Sequence, residues 1–414
     1  MNILVLNCGS ASTKFAVVHS SNGHEHISGI VQVSPAAEAT LEYTLEGRRE
    51  ARALRGVRGD DRDGALHAVF DLLHEEGLAD RLLGIGHRVV HGGAKFSGSM
   101  FITPEVVAKI RECIPLGPLH NPSNVRGIEL AQERFPKLPQ VAVFDTAFHQ
   151  TMPPRAYLYA VPYEWFEKYE VRRYGFHGIS HQYVSQQAVK QLGLDPDDHA
   201  IVTAHLGNGC SLAAVRNGVS MDTTMGLTPV DGVVMDTRSG AIDPSIVAHM
   251  KKALGCSADE VLEHLNRDSG LLGVSGLSKD MLTLQDAAKA GHERAALAID
   301  KFCYSVAKNV AGMIVSLGRV DALVFTGGIG QNAVRVRAQI VGLLGFAGFA
   351  LDARANEAHG KPLGGRITRS TSPMAAVIPT NEELQIAVET AEIVARDCGG
   401  AARWVNEAGL ATAS

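Results

Sequence analysis

Asn7-Cys8-Gly9-Ser10-Ala11-Ser12-Thr13-Lys14 is a small, polar stretch between two apolar runs, Ile3–Leu6 and Phe15–Val18. Backbone N–H groups around a glycine, together with the Ser10, Ser12 and Thr13 hydroxyls, are donors suited to an anion, and Lys14 adds a point charge. A second stretch of this kind, His205-Leu206-Gly207-Asn208-Gly209-Cys210-Ser211, lies between Ala200–Ala204 and Leu212–Val215. A third, Gly327-Gly328-Ile329-Gly330-Gln331-Asn332, follows Asp321–Thr326. None is a Walker A loop, because G-x-x-x-x-G-K-[ST] is absent. One such turn alone reads as a hairpin with exposed serines. Three, two of them related, point to a cleft between two domains that clamps a polyphosphate.

Single residues near these turns carry complementary chemistry. Arg88 stands in His87-Arg88-Val89-Val90-His91, and Arg238 in Met235-Asp236-Thr237-Arg238-Ser239-Gly240. Each presents a planar fork for carboxylate or phosphate, and each is also readable as half of a structural ion pair. Asp145 ends the strand-like Val141–Phe144, a place for Mg²⁺ or acid–base work or for a turn cap. His177-Gly178-Ile179-Ser180-His181 spaces two histidines as a zinc helix does, but it lacks the Glu after the first His, and Gly178 is poor in a helix interior. A hydrogen-bonding imidazole, or one aimed at a transferring phosphoryl group, is the better reading. In Pro379–Leu384, Thr380 and Glu383 fit a capping box before the stripe Leu384, Ala387, Val388, Ala391. That gives Glu383 a structural task and leaves Glu382, at a helix N-terminus, as the carboxylate able to ligate a metal.

The elements that must hold these residues are strands alternating with helices. β-like runs dominate to about Leu54, and the Arg- and Asp-rich Arg48–Asp63 reads as a solvated loop or turn. A helix-period segment covers Gly64–Leu78, and a buried strand covers Leu83–Val90. Asn121-Pro122 starts a helix with Asn as cap, and Val125, Ile128, Ala131 and Phe135 form its apolar stripe. Asp243-Pro244 starts another helix after Arg238, and Ala333–Leu344 forms one after the third glycine turn. This alternation argues for an α/β fold. Ile3–Val17 and Ile201–Val215 match in pattern about 198 residues apart, so two similar domains, each opening with a hairpin, are the simplest arrangement.

Composition sets the outer bounds. With 414 residues the chain exceeds one ordinary core. A net charge of -5 gives no basic signature for nucleic acid, and 45% hydrophobic content describes a globular protein. Met1–Leu6 is too short an apolar run for a signal peptide or a membrane span. The six cysteines, Cys8, Cys113, Cys210, Cys256, Cys303 and Cys398, form no C-x-x-C pair and read as reduced cytosolic thiols.

Nine motifs in order, LNCGSASTKF, HRVVHGG, PLHNPSN, VFDTAFH, RRYGFHGISH, HLGNGCS, MDTRSGAIDP, FTGGIGQN and IPTNEEL, span essentially the whole chain. In these the sequence resembles the acetokinase family, within the superfamily of acetate and sugar kinases, Hsp70 and actin. The resemblance implies an α/β fold of two similar domains, each with the duplicated βββαβαβα core (ribonuclease H-like, actin-type ATPase), around a central cleft. It implies residues 1–150 completed by a C-terminal helix 384–414 as one domain, and 151–383 as the nucleotide-binding and dimerisation domain. The implied reaction is ATP + acetate = ADP + acetyl phosphate, reversible and in-line, with Mg²⁺ (or Mn²⁺ in its place). A cytoplasmic homodimer with no nucleic-acid or membrane partner is also implied.

Roles follow the matching positions. Asn7 and Glu382 would hold Mg²⁺. Ser10, Ser12 and Lys14 would face phosphate, as would His205, Leu206, Gly207, Asn208 and Gly209. Asp280, Met281 and Leu282 would lie near the nucleotide, with Gly328, Ile329, Gly330, Gln331 and Asn332 at the adenosine end. Arg88 would bind the acetate carboxylate, with Val90, Leu119, Phe176 and Pro229 around its methyl group. His177 and Arg238 would stabilise the transition state, and Asp145 is the family's catalytic carboxylate. An acetate oxygen is already anionic at pH 7, so cations rather than a base are the requirement, and Asp145 suits a Mg²⁺ or water network better than proton abstraction. Two positions depart from the family pattern. Leu282 stands where an Arg is usual, which bears on nucleotide affinity or donor preference, and Asp236 stands where a small residue is usual, either pairing with Arg238 or facing solvent. Val90 leans toward acetate over propionate. The alternatives are a propionate or short-chain acyl kinase, an actin- or Hsp70-type nucleotide-dependent conformational protein, and a binding protein without activity.

Overall fold

The computed structural model describes residues 1–9, 12–34, 37–58 and 61–397. Ser10 and Cys398 lie outside the described residues. The chain forms two compact units, one of Met1–Ala147 with the segment from Asn381 on, the other of Phe148–Thr380.

The first unit is built on eight strands: β1 (Asn2–Cys8), β2 (Ser12–His19), β3 (Glu25–Ser34), β4 (Ala37–Leu45), β5 (Arg48–Arg58), β6 (Gly84–Val89), β7 (Met100–Phe101) and β8 (Gln140–Phe144). Their order is β5-β4-β3-β2-β1-β6-β8-β7, with β1, β6 and β8 parallel. The alternation of β1 and β2 sorts their side chains by face. Leu4, Leu6, Cys8, Phe15 and Val17 enter one core with Val69, Phe70 and Leu73 of the helix Arg62–Glu75. Asn7 and Lys14, paired with each other, fall on the opposite face. The C-terminal helix Glu382–Asp397 packs on that face, against β1, β2, β6 and β8. Gly86 permits this, since a Cβ there would meet Thr390 Oγ1 at 2.4 Å and Ile386 Cγ2 at 2.6 Å.

The second unit holds β9 (Ala200–Leu206), β10 (Cys210–Arg216), β11 (Val219–Thr223), β12 (Ala322–Thr326) and β13 (Met374–Val377), ordered β11-β10-β9-β12-β13. The pattern repeats β3-β2-β1-β6-β8: an antiparallel three-strand meander whose first strand is joined by two parallel strands. The sequence repeat is therefore a duplicated fold, with hairpin β1–β2 equivalent to hairpin β9–β10.

Several local expectations are corrected. The polar stretch Asn7–Lys14, set apart above from the apolar runs that flank it, is itself mostly strand: the ladder runs through Asn7↔Lys14 to Cys8↔Thr13, and Gly9 N–H donates to Ser12 O at 2.9 Å. Polar side chains on one face cost an antiparallel ladder nothing. Most of Arg48–Asp63 is strand β5, an edge strand paired with β4 alone, where charged outward side chains are at home. Asn121 does not cap its helix, which spans Asn121–Arg134. Its side chain is buried and instead bonds both backbone groups of His91, accepting at 3.1 Å and donating at 2.8 Å. Thr380 and Glu383 form no capping box. Asn381 Oδ1 accepts from Leu384 N–H at 2.8 Å, and Thr380 Oγ1 accepts from Ser180. The third glycine turn is itself helical over Gly327–Asn332, ahead of the helix Val334–Leu343. Among the described residues, no helix is long and apolar enough to cross a membrane, and Cys8, Cys113, Cys210, Cys256 and Cys303 form no disulfide.

Candidate active site

In the first unit the parallel strands β6 and β8 end side by side, which brings Arg88 and Asp145 together. Arg88 Nε donates to Asp145 Oδ1 at 3.0 Å and Nη2 to Oδ2 at 2.6 Å, a two-point fork on a carboxylate that is almost wholly buried. Asp145 N–H is fixed to Val89 O at 3.0 Å. Burial alone opposes the charge on Arg88, but Asp145 and Glu382 more than offset it, so its pKa is raised and the ion pair persists. Arg88 Nη1 lies 3.9 Å from Glu382 Oε2, beyond hydrogen-bond reach. Asn124 steadies the surroundings: it accepts from Val90 N–H and donates to Cys8 O, linking the first hairpin to the chain after Arg88.

The face that carries Arg88 and Asp145 also carries Asn7 and Lys14, and the N-terminus of the C-terminal helix ends there. It supplies two carboxylates rather than one. Glu383, assigned above to a cap, is a largely desolvated group: burial, then the neighbouring Glu382, push its carboxyl up, while Lys14 and Arg88 pull it down. Val90 is half-buried and Leu119 is exposed, both in this unit.

In the second unit the equivalent hairpin, β9–β10, lies against a histidine row. The chain passes His177 in the left-handed region, φ 56°, and enters the helix Gly178–Leu192, so Gly178 sits at a helix start. Thr203 Oγ1 donates to Ala213 O, hence accepts from His181 Nδ1 at 2.7 Å. His181 Nε2 then accepts from Ser211 Oγ at 2.8 Å, and Ser211 accepts from His177 Nδ1 at 2.8 Å. Burial, then His149 and His205, hold His181 neutral, well below the usual imidazole range. His205 is tethered likewise, its Nδ1 donating to Ser180 Oγ at 2.8 Å while Ser180 donates to Thr380. The His177 and His205 rings stack with centroids 4.3 Å apart. Gly209 closes the group. A Cβ there would lie 3.2 Å from His177 Nε2 and 3.5 Å from Arg238 Nη1, so glycine lets the hairpin backbone approach both side chains.

Arg238 donates to neutral acceptors, Pro229 O at 3.2 Å and Met235 Sδ at 3.9 Å. Burial depresses its pKa, and Asp236 partly restores it, an environment in which a bound anion is favourable. Asp236 neither faces solvent nor bonds Arg238. It is buried, and its Oδ1 accepts from Thr237 N–H at 2.6 Å. Beside it a cavity of about 410 Å³ is lined by Gly207, Asn208, Asp280, Met281, Leu282, Gly328, Ile329 and Asn332. Leu282 is 67% exposed and gives its rim an apolar surface. Asp280 caps the helix Met281–Lys289 through Thr283 N–H, so its carboxylate is already engaged. Phe176 is buried and Pro229 half-buried, both in this unit.

One residue the sequence reading missed is Arg337. Its guanidinium is wholly buried and donates to Gly330 O, Gln331 O, Asn356 Oδ1 and Asn356 O at 2.7–3.0 Å. It holds the end of the glycine-rich helical turn that lines the cavity. Burial lowers its pKa to about 10. No local pattern marks it, because its acceptors, three main-chain carbonyls and the Asn356 side chain, follow no helical spacing. Ser211 and His181 were missed as anchors of His177 because their side-chain row forms only when β9 and β10 pack beside the helix Gly178–Leu192.

Residues 2–388 match the sequence model of the Acetokinase family. The chain belongs to the acetokinase family. Among its relatives, the chain is 50% identical over 393 residues to an acetate kinase of Deinococcus radiodurans, covering 94% of this chain and 98% of that one. It is similar in structure to a propionate kinase from Francisella tularensis (TM-score 0.90, 44% identity, 95% and 99% of the two chains). It is also similar to an acetate kinase from Porphyromonas gingivalis (TM-score 0.87, 41% identity, 95% and 99% covered). The acetokinase fold accounts for the duplicated sheets.

Proposed function

We propose that this acetokinase is an acetate kinase that moves the γ-phosphoryl group of ATP directly onto an acetate oxygen, reversibly. The observation that carries this reading is the state of Arg88. Asp145 occupies its Nε–H and one Nη2–H, which leaves the Nη1–Nη2 edge to take a second carboxylate. A nucleotide switch without an acid substrate has no use for a guanidinium held in this way.

The acceptor is already an anion, so the chain's task is to screen repulsion between two anions and to align them. Arg88 holds the carboxylate. Arg238, buried against neutral acceptors, stabilises charge on the phosphoryl oxygens, and His177, whose Nδ1–H is held by Ser211, does so through Nε2 when that nitrogen also carries a proton. Gly207 N–H closes the turn on Gly209 O at 3.1 Å, so Asn208 and Gly209 offer the backbone donors, and Gly328–Asn332 with Met281 and Leu282 bound the nucleotide cavity. Ser12 and Lys14 complete the phosphate contacts. Asp145 acts through Arg88. Mg²⁺ fits the oxygen donors on this face: Asn7 and Glu382 would hold it, beside Glu383, whose carboxyl is pushed up by burial first and by Glu382 second. When bound, the ion neutralises phosphate charge, and Mn²⁺ offers the same donor preference.

Propionate is the second reading, favoured by the structural likeness to a propionate kinase. Val90, Leu119, Phe176 and Pro229 would enclose the acyl chain, and one methylene discriminates by only about 1–3 kcal/mol. The proposal extends to a homodimer acting in the cytoplasm. The test is hydroxylamine trapping of acyl phosphate from ATP, Mg²⁺ and either acid. Acetyl hydroxamate formed with higher kcat/KM is expected. Propionyl preference would move the substrate and keep the mechanism, and no product from either acid would end the kinase reading.

A further inference from the structure

Outside these residues, one cluster of side chains has no place in the phosphoryl chemistry. His24, His26 and Glu46 meet where two connections of the first sheet come together, β2 to β3 and β4 to β5. His24 is fixed by its backbone, with its N–H on Asn22 Oδ1 at 3.0 Å and its carbonyl accepting from His19 N–H at 2.8 Å. His26 lies two residues on, in β3, with a mostly buried side chain. Glu46 N–H donates to His26 O at 2.9 Å, which sets Glu46 opposite both rings.

The ligand atoms converge. Glu46 Oε1 is 2.9 Å from His26 Nδ1, and Glu46 Oε2 is 3.1 Å from His24 Nε2. The two rings stand edge to face, centroids 4.5 Å apart and planes at 89°. All three ligand atoms lie within 4.8 Å of one another, the one such His, Cys, Asp or Glu group among the described residues. Donors at about 2.0–2.1 Å from a tetrahedral ion stand about 3.3 Å apart, and three donors already within 4.8 Å of one another can close to that spacing by side-chain rotation.

A second observation concerns the backbone. Glu46 and Gly47 form the two-residue turn between β4 and β5, with φ of 44° and 82°. Such a turn favours Asn, Asp or Gly at both positions, and a longer acidic side chain is disfavoured there. The conformation aims the Glu46 carboxylate at the two imidazoles.

The geometry points to a zinc-class metal site made by His24 Nε2, His26 Nδ1 and Glu46, with water as the remaining ligand. Two imidazole nitrogens and one carboxylate select Zn²⁺, Co²⁺ or Ni²⁺ over Mg²⁺, which takes oxygen donors. The site is remote from the phosphate hairpin, because β2 separates Lys14 from His19 by five residues, about 17 Å of strand. An ion there would tie the outer β4–β5 hairpin to β3, so its role is structural.

The test uses the full chain, untagged and stripped with chelator, in excess Mg²⁺ to occupy oxygen sites. Zn²⁺ is titrated against a chromophoric chelator for the wild type, His24→Ala and Glu46→Gln. Both variants alter exposed side chains, and circular dichroism checks their fold. The expected result is one Zn²⁺ per chain, weakened at least about 100-fold in each variant. A rise in Tm with Zn²⁺ is expected in the wild type alone. Equal Zn²⁺ affinity in all three proteins, or no Zn²⁺ retained by the wild type, would overturn the site and leave a carboxylate hydrogen-bonded to two histidines.

Discussion

Asp145→Asn separates the two roles open to this carboxylate. Asp145 accepts from Arg88 at 3.0 and 2.6 Å in a nearly water-free setting. Asparagine keeps one acceptor and turns an NH2 toward the other donor, so two bonds to a carboxylate become at most one bond to a neutral amide oxygen. Hydrogen bonds to charged groups contribute about 1.5–3 kcal/mol each. A buried cation stripped of its partner costs about 3–5 kcal/mol of stability. For catalysis the loss is alignment. With its inner edge released, Arg88 swings toward Glu382, 3.9 Å away, and no longer presents its outer edge to acetate. Losing one preorganised charge stabiliser costs about 10²–10³ in rate, roughly 2.7–4 kcal/mol. The expected result is kcat/KM for acetate down by that factor, with the KM for ATP and the Mg²⁺ dependence unchanged, measured by the hydroxamate assay. Once Arg88→Leu is in place, adding Asp145→Asn should cost little more. Recovery of Asp145→Asn at raised Mg²⁺, or additive losses in the double variant, would refute this and place Asp145 on the metal.

Three further outcomes follow from the same contacts. Gly209→Ala puts a methyl 3.1 Å from His177 Cε1, so kcat should fall at least about tenfold while Tm moves little, read by steady-state kinetics and calorimetry. Arg337→Ala strands acceptors at Gly330, Gln331 and Asn356. Urea denaturation should show a loss of at least about 1–3 kcal/mol together with a raised KM for ATP, and Arg337→Lys should not restore either, because one ammonium cannot span the four acceptors. His87 and His149 are buried neutral with pKa lowered to about 4 by desolvation. Between pH 6.5 and 4 the unfolded chain binds protons that the folded chain refuses, so their contribution is complete above pH 6.5 and is lost as pH falls toward 4. Urea midpoints should drop across that window, and His87→Gln should flatten the fall.

The motif residues could be read from sequence because hairpins and strand ends bring them forward by local rules. Period-two alternation places Asn7 and Lys14 on one face, and the likeness of Ile3–Val17 to Ile201–Val215 appears as two equivalent hairpins. Long-range packing was not legible. Thr380-x-x-Glu383 satisfies a capping pattern, yet Asn381 wins the cap, because Ser180 engages Thr380 and the helix turns Glu383 into a desolvated position. Asn121 has cap chemistry but spends both amide groups on His91, thirty residues earlier. Arg337 looks like any helical arginine until its main-chain acceptors fold around it. Strand β5 was hidden by its charges, which an edge strand tolerates on its open side.

The most direct test of direct transfer is stereochemical. ATP made chiral at the γ-phosphorus with oxygen isotopes is turned over with acetate, and the configuration of the acetyl phosphate is determined by ³¹P spectroscopy. A single in-line displacement, in which cations align two anions and no protein group attacks phosphorus, predicts inversion. Retention would contradict the account, since it requires two displacements and a phosphorylated side chain between them, with Glu382 or Glu383 then the first residues to examine.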